Sequence, residues 1–135
     1  MRVLFFPSTR KGNGLGHLLR IFELVKHISG HSFGILVEED DNEIEKLYHD
    51  WLGDKSIPLI QGRTALLADA ENWDAVVIDQ RETPRTYRDL LETSSLFTIA
   101  VEEGSGFRRY ADFLIDTKAG LEERKKSELQ ELNFN

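Results

Sequence analysis

Val3-Leu4-Phe5-Phe6 is a continuous apolar run without polar alternation. A strand of that kind is buried on both faces, and parallel sheets covered by helices are where such strands occur. The pattern recurs at Phe33–Val37, Ile57–Ile60, Ala75–Asp79, Phe97–Val101 and Phe113–Ile115. Helical patterns lie between the runs. Over Gly16–Ser29, Leu18, Ile21, Phe22, Val25 and Ile28 recur at helical spacing, with Arg20, Glu23 and His27 opposite and Gly30 as the stop. Asp40-Asp41-Asn42 offers an N-cap for a helix from about Glu43 to Trp51, and Thr64–Ala70 reads as a short helix. Thr83-Pro84 reads as a cap and a first-turn proline ahead of Tyr87, Leu90 and Leu91. Strands alternating with helices predict an α/β fold with a doubly wound, mostly parallel sheet of about six strands. The domain is expected over residues 1–120, with 121–135 a charged tail or the start of an interdomain linker.

Composition narrows the function. The 135 residues carry a net charge of -7, which argues against nucleic acid or an anionic membrane as partner. A small anionic ligand needs only a few local donors and stays compatible. There is no cysteine, hence no disulfide, thiolate nucleophile or cysteine zinc site. His27, His31 and His49 lack ligand spacing, so neither a metal nor another cofactor is indicated. No apolar stretch approaches the length of a membrane span, and a cytoplasmic location is expected.

In open parallel sheets, ligands bind at the carboxyl ends of the strands, near the reversal of strand order. Those ends are Pro7–Gly16, Glu38–Asp41, Gln61–Arg63, Asp79–Thr83 and Glu102–Arg108. The first holds the densest chemistry, Gly14-Leu15-Gly16-His17. Glycines let the chain turn sharply and let a ligand approach, and the helix behind them presents unpaired N–H groups to an anion. His17 falls in the first helical turn, at the border of the apolar arc and in line with Leu24 and Ile28. A positive helix end disfavours imidazolium, and a neutral imidazole can act as a general base. The same residues also suit a purely structural glycine turn. Gly12-x-Gly14-x-x-His17 approaches a dinucleotide fingerprint, with Glu38 or Glu39 where the ribose-binding acid is expected. His17 however stands in the third glycine's place. No glycine-lysine-serine/threonine follows, which excludes a Walker A loop. Asp79, at the end of a buried strand, suits sugar hydroxyls or a turn cap equally. Arg108-Arg109 reads as a solvated turn, and Trp51 and Trp73 as packing residues.

Gly14-Leu15-Gly16-His17-Leu18-Leu19-Arg20 resembles the Gly-x-Gly-His-x-x-Arg motif of the UDP-sugar hydrolase of pseudaminic acid biosynthesis and of the related spore-coat polysaccharide biosynthesis proteins. Gly30-His31 is similar to the glycine-histidine that precedes the second strand in GT-B N-terminal domains. Ala75–Asp79 resembles the family's D-x-x-V-x-D strand, and Phe97–Gly104 with Tyr110–Asp116 its I-A-I-D-D and A-D-x-x-I-D segments. The resemblance implies a Rossmann-like domain forming one half of a GT-B fold. It implies His17 as the base that activates water against the anomeric carbon, and Gly14, Leu15, Gly16, Arg20 and Asp79 as substrate-binding residues. The chain departs from the family where Pro7-Ser8-Thr9-Arg10 lacks an acid, where Glu102-Glu103 replace paired aspartates, and where Gln80 replaces a common histidine. The expected ligand is a UDP-sugar or another small anion. A C-terminal GT-B domain is the expected partner if the chain is a fragment, and weak or no turnover is expected from this chain alone. The alternative is a non-catalytic α/β module that binds a small anion or nucleotide. A receiver-like domain would need an acidic cluster after the first strand, which Pro7-Ser8-Thr9 does not supply.

Overall fold

The computed structural model describes residues 1–10, 15–39, 41–53 and 57–116. Six strands form one sheet: β1 (Arg2–Pro7), β2 (Ser32–Val37), β3 (Leu59–Gln61), β4 (Ala75–Asp79), β5 (Phe97–Val101) and β6 (Phe113–Ile115). Their order is β3-β2-β1-β4-β5-β6, and every pairing is parallel. Four helices connect them: α1 (Gly16–His27), α2 (Asn42–Leu52), α3 (Arg63–Asp69) and α4 (Arg85–Thr93). This is a Rossmann-like doubly wound sheet whose order reverses between β1 and β4.

Alternation along the strands sorts the core into two layers. Leu4, Phe6, Val76 and Ile78 pack with Tyr87, Leu90 and Leu91 of α4 and Leu66 of α3. Phe5, Phe33 and Ile35 point the other way and pack with Leu18, Ile21, Phe22 and Val25 of α1 and with Ile44 and Leu52 of α2. The stripe of α1 that enters this layer is the one its spacing predicts. Each such side chain, fully buried, contributes roughly 1.5–3 kcal/mol.

Local chemistry explains where the elements depart from the sequence pattern. β3 begins at Leu59, after Pro58, because proline has no N–H to give the ladder; its carbonyl accepts from Ile35 N at 2.9 Å instead. Asp41 is the N-cap of α2 and accepts from Glu43 N at 2.8 Å and Ile44 N at 3.4 Å. Thr83 does not cap α4. Its hydroxyl and amide donate to Glu103, so Pro84 becomes the cap residue and the helix starts one position later. α1 ends at His27, and Gly30 takes its left-handed φ of 82° three residues on. The Gly104-Ser105-Gly106 turn runs into a 3-10 turn over Gly106–Arg109, where Ser105 Oγ accepts from Phe107 N at 3.3 Å. Of the arginine pair, Arg109 is exposed, whereas Arg108 donates to Glu103 O at 2.5 Å and pairs with Asp116 at 3.7 Å. The expected tail at 121–135 lies outside the described residues.

One part of the sheet is left bare. On the α1 face, Val77, Ile99, Val101 and Ile115 form the floor of an open groove of about 760 Å³, walled by Ile21 and Leu24 of α1. No described element covers it. Phe97 and Phe113 continue the same face and are half exposed, at 49% and 57%. Among the described residues, no helix is long and apolar enough to cross a membrane.

Two details of the sheet make predictions. Gly34 on β2 lies against Trp73, whose indole N–H donates to Asp69 at 2.7 Å; a Cβ at position 34 would sit 2.4 Å from the ring. Gly34→Ala should therefore cost about 1–3 kcal/mol by overpacking, read as a lower urea midpoint. Near the start of β1, Asp74 accepts from Arg2 N at 2.7 Å and from the guanidinium at 2.8 Å. The Arg2 hydrogen bonds hold the Asp74 carboxyl down at about 2. A depressed carboxyl stabilises the fold above the ordinary aspartate range and loses that contribution as pH falls toward 2. The Asp74 carboxyl followed by NMR should titrate near 2 in the native chain and move up toward the ordinary range in Arg2→Ala, which removes the guanidinium and keeps the backbone donor.

Candidate functional site

Strand parity places the first functional group. Asp79 is the last residue of β4 and shares a face with Ala75 and Val77, so its side chain looks toward α1. Pro7 of β1 is its register partner, and Ser8 N donates to Asp79 O at 3.0 Å, which fixes the end of the strand. The carboxylate is nearly enclosed, with 4% of the side chain exposed.

Helix spacing supplies its partners. His17 and Arg20, three residues apart on α1, lie on one flank of the helix. His17 Nδ1 is 2.9 Å from Asp79 Oδ1, while Arg20 Nη2 donates to Oδ1 at 2.8 Å and to Oδ2 at 2.7 Å. The resulting ion pair, with its hydrogen bonds to Asp79 first, raises the Arg20 guanidinium above its ordinary range. Arg20 Nη2 also comes within 3.3 Å of His17 Nδ1. A carboxylate can only accept, so the nitrogen facing it carries the proton. Nδ1–H therefore donates to Asp79, and the Nε2 lone pair is left available. Arg20 cannot share a lone pair on Nδ1, and its 3.3 Å approach is a packing contact beside the dyad.

The rest of α1's first turn is open. Leu15 stands at the N-cap, with no side-chain cap and no acid in the first turn. The leading amides of α1 thus have no side-chain acceptor from its cap. Among the described residues, a Cβ built on Gly16 would meet nothing within 4 Å, so none of them needs the glycine to relieve a clash. Leu15 packs its side chain into the α1–α2 core, and Gly14 lies outside the described residues. The structure thus brings His17, Arg20 and Asp79 together, sets Gly16 beside them and turns Leu15 inward.

Further groups that the motif comparison named gather at this edge. Glu102, just after β5, takes a left-handed φ of 52°, and its charge reaches Arg20. That conformation is uncommon for a non-glycine residue and concentrates at functional edges. Next to it, Glu103 is fully buried and accepts from Thr83 N at 2.9 Å, from Thr83 Oγ1 and from Ser105 N at 2.6 Å. Gln80 is buried too; its amide reaches Pro7 O at 3.5 Å and its Oε1 has no hydrogen-bond partner among the described residues. Across β1, Glu38 accepts from Arg10 Nε at 3.3 Å. Strand-end position is the signal that all of these share. Among the described residues there is no cluster of three or more metal-ligating side chains.

The dyad makes a direct prediction. Nitrogen NMR of His17 should show the Nδ1–H tautomer in the native chain. In Asp79→Asn, which replaces an obligate acceptor by an amide able to present either atom, that bias should fall.

Compared with protein-family models, curated proteins and solved structures, the chain matches none of them.

Proposed function

We propose that this edge is the sugar-facing half of an active site of a UDP-sugar hydrolase or glycosyltransferase-like protein. The chain would be one Rossmann-like half of a GT-B fold, in a cytoplasmic protein of surface-polysaccharide or nonulosonic acid biosynthesis. The observation that carries the reading is the 2.9 Å contact between His17 Nδ1 and Asp79 Oδ1, at the point where the strand order reverses. An imidazole oriented through Nδ1 presents Nε2 as a base, the arrangement that general-base catalysis uses. Nε2 takes a proton from water as the water oxygen bonds to the anomeric carbon. The bond from that carbon to the diphosphate oxygen breaks, and UDP leaves with the electron pair. Arg20, bonded to both oxygens of Asp79, holds the carboxylate in place, making it a positioning residue as well as a candidate for substrate contact. If the chain is a fragment, a C-terminal GT-B domain supplies the other wall and most of the nucleotide contacts, and turnover by this chain alone is weak or absent.

A second reading is a non-catalytic module for a small anion or nucleotide. The uncapped first turn of α1 favours it.

UDP-sugar hydrolysis by the full-length gene product separates the two. His17→Ala should lower turnover roughly a hundredfold to ten-thousandfold, the range of a lost general base. Undiminished turnover removes His17 from the chemistry. Phosphate or UDP binding that His17→Ala leaves intact, with no hydrolysis by the native protein, favours the module.

A further inference from the structure

The two faces of β4, β5 and β6 are unequally covered. On the α4 side, Val76 and Ile78 lie under Leu90, Leu91, Leu96 and Phe107. On the α1 side, Val77, Ile99, Val101 and Ile115 form the floor of the open groove, and Phe97 and Phe113 extend it. Parallel sheets are stable with helices on both faces, and a contiguous apolar surface of this kind marks a docking surface. What the α1 side lacks is a second helix beside α1.

The occupant has to be apolar toward the sheet and polar toward water. A second copy of the chain does not meet that demand. Its α1 carries Glu23, Lys26 and His27 on the outer side, and a two-fold pair that set α1 into the partner's groove would press those charges onto Ile99 and Phe113.

The chain's own continuation does meet it. β6 ends at Ile115, which is already part of the groove floor, at the carboxyl edge of the sheet. Residues 117–135 lie outside the described residues, and their sequence carries the argument. Thr117-Lys118-Ala119-Gly120 has the length of an ordinary strand-to-helix connection. Leu121, Leu129 and Leu132 follow, and at helical spacing they fall within an arc of about 80°. Glu123, Lys126, Ser127 and Gln130 fall on the far side of that arc. A helix over Leu121–Leu132 would be about 18 Å long, and a five-residue strand such as β5 is about 17 Å long, so one would cover the other from end to end. Lys125 lies inside the leucine arc. A lysine can lay its stem on hydrocarbon and carry its amine outward, and Glu23, half exposed on the α1 flank, is the acid within the groove wall that suits it.

We propose that Leu121–Leu132 is an amphipathic helix that docks in this groove, with Leu121, Leu129 and Leu132 on the bare strands and Lys125 toward Glu23. Docked there, it completes the helix layer on the α1 side and closes the groove beside Arg20. Nothing in this docking depends on the reaction at the strand ends.

The test is paramagnetic broadening in the full chain. The sequence has no cysteine, so Ser127→Cys, opposite the leucine arc, accepts a single nitroxide label. The amide signals of Leu24, Ile99 and Ile115 should lose most of their intensity, while those of Leu66, Leu90 and Leu91 on the other face keep theirs. Adding Leu129→Glu and Leu132→Glu to the labelled chain should restore the lost signals, and the unchanged remainder of the spectrum reports that the sheet is folded. Three results overturn the proposal. The first is no broadening at the groove. The second is broadening that survives loss of both leucines. The third is broadening found only when labelled chains are mixed with unlabelled, nitrogen-15-enriched ones, which makes a second copy the occupant.

Discussion

The parallel pairing of β1 with β4 carries the rest of this structure. Strand order reverses there, so the connections on either side diverge and open a crevice at the carboxyl ends. The register sets Pro7 opposite Asp79, and Ser8 N closes it on the Asp79 carbonyl. Strand parity then decides which layer receives the carboxylate. A slip of one residue would turn Asp79 away from α1 and into the layer of Phe6, Tyr87 and Leu90, apart from His17 and Arg20. The contacts of His17 and Arg20 follow from that register as much as from their own spacing on the helix.

Around this pairing, carboxylates order the loops, one buried and one exposed. Glu103 ties the loop after β5 to the loop after β4 through Thr83. Asp112 joins the approach to β6 to Thr98 of β5, accepting from its amide at 2.7 Å and its hydroxyl at 2.9 Å, and these bonds hold the Asp112 carboxyl below its ordinary range. Asp112 makes its link at the amino edge of the sheet, whereas Glu103 stitches the crevice rim laterally. Glu102 is held in its left-handed conformation beside this stitch.

Much of the fold was legible because it rests on short-range pattern. The apolar runs at Val3–Phe6, Ala75–Asp79 and Phe97–Val101 lie within strands, and the stripe of α1 is the buried one. What resisted reading depends on contacts distant in sequence. Thr83 looks like a cap until Glu103, twenty residues on, takes its hydroxyl. Arg20 reads as the polar face of α1, since nothing local shows that Asp79, fifty-nine residues away, will draw it over the crevice. The glycine-histidine turn located the edge, but the hydrogen-bond geometry that gives His17 its tautomer belongs to the assembled sheet. Glu38 was visible only as one of two acids at a suggestive distance, and burial singles it out from Glu39.

The bare face of β4, β5 and β6 has its own logic. Arg20 and Asp79 line the upper end of the groove whose floor is Val77, Ile99, Val101 and Ile115. Glu23 and His27 follow further along the α1 side, so the polar groups form one flank of a surface whose floor is hydrocarbon. Such a surface is sided: an occupant with an apolar face and one polar edge would lie with that edge along α1. The strand-end crevice and the groove are therefore adjoining rooms with a common wall, and Arg20 stands in the doorway.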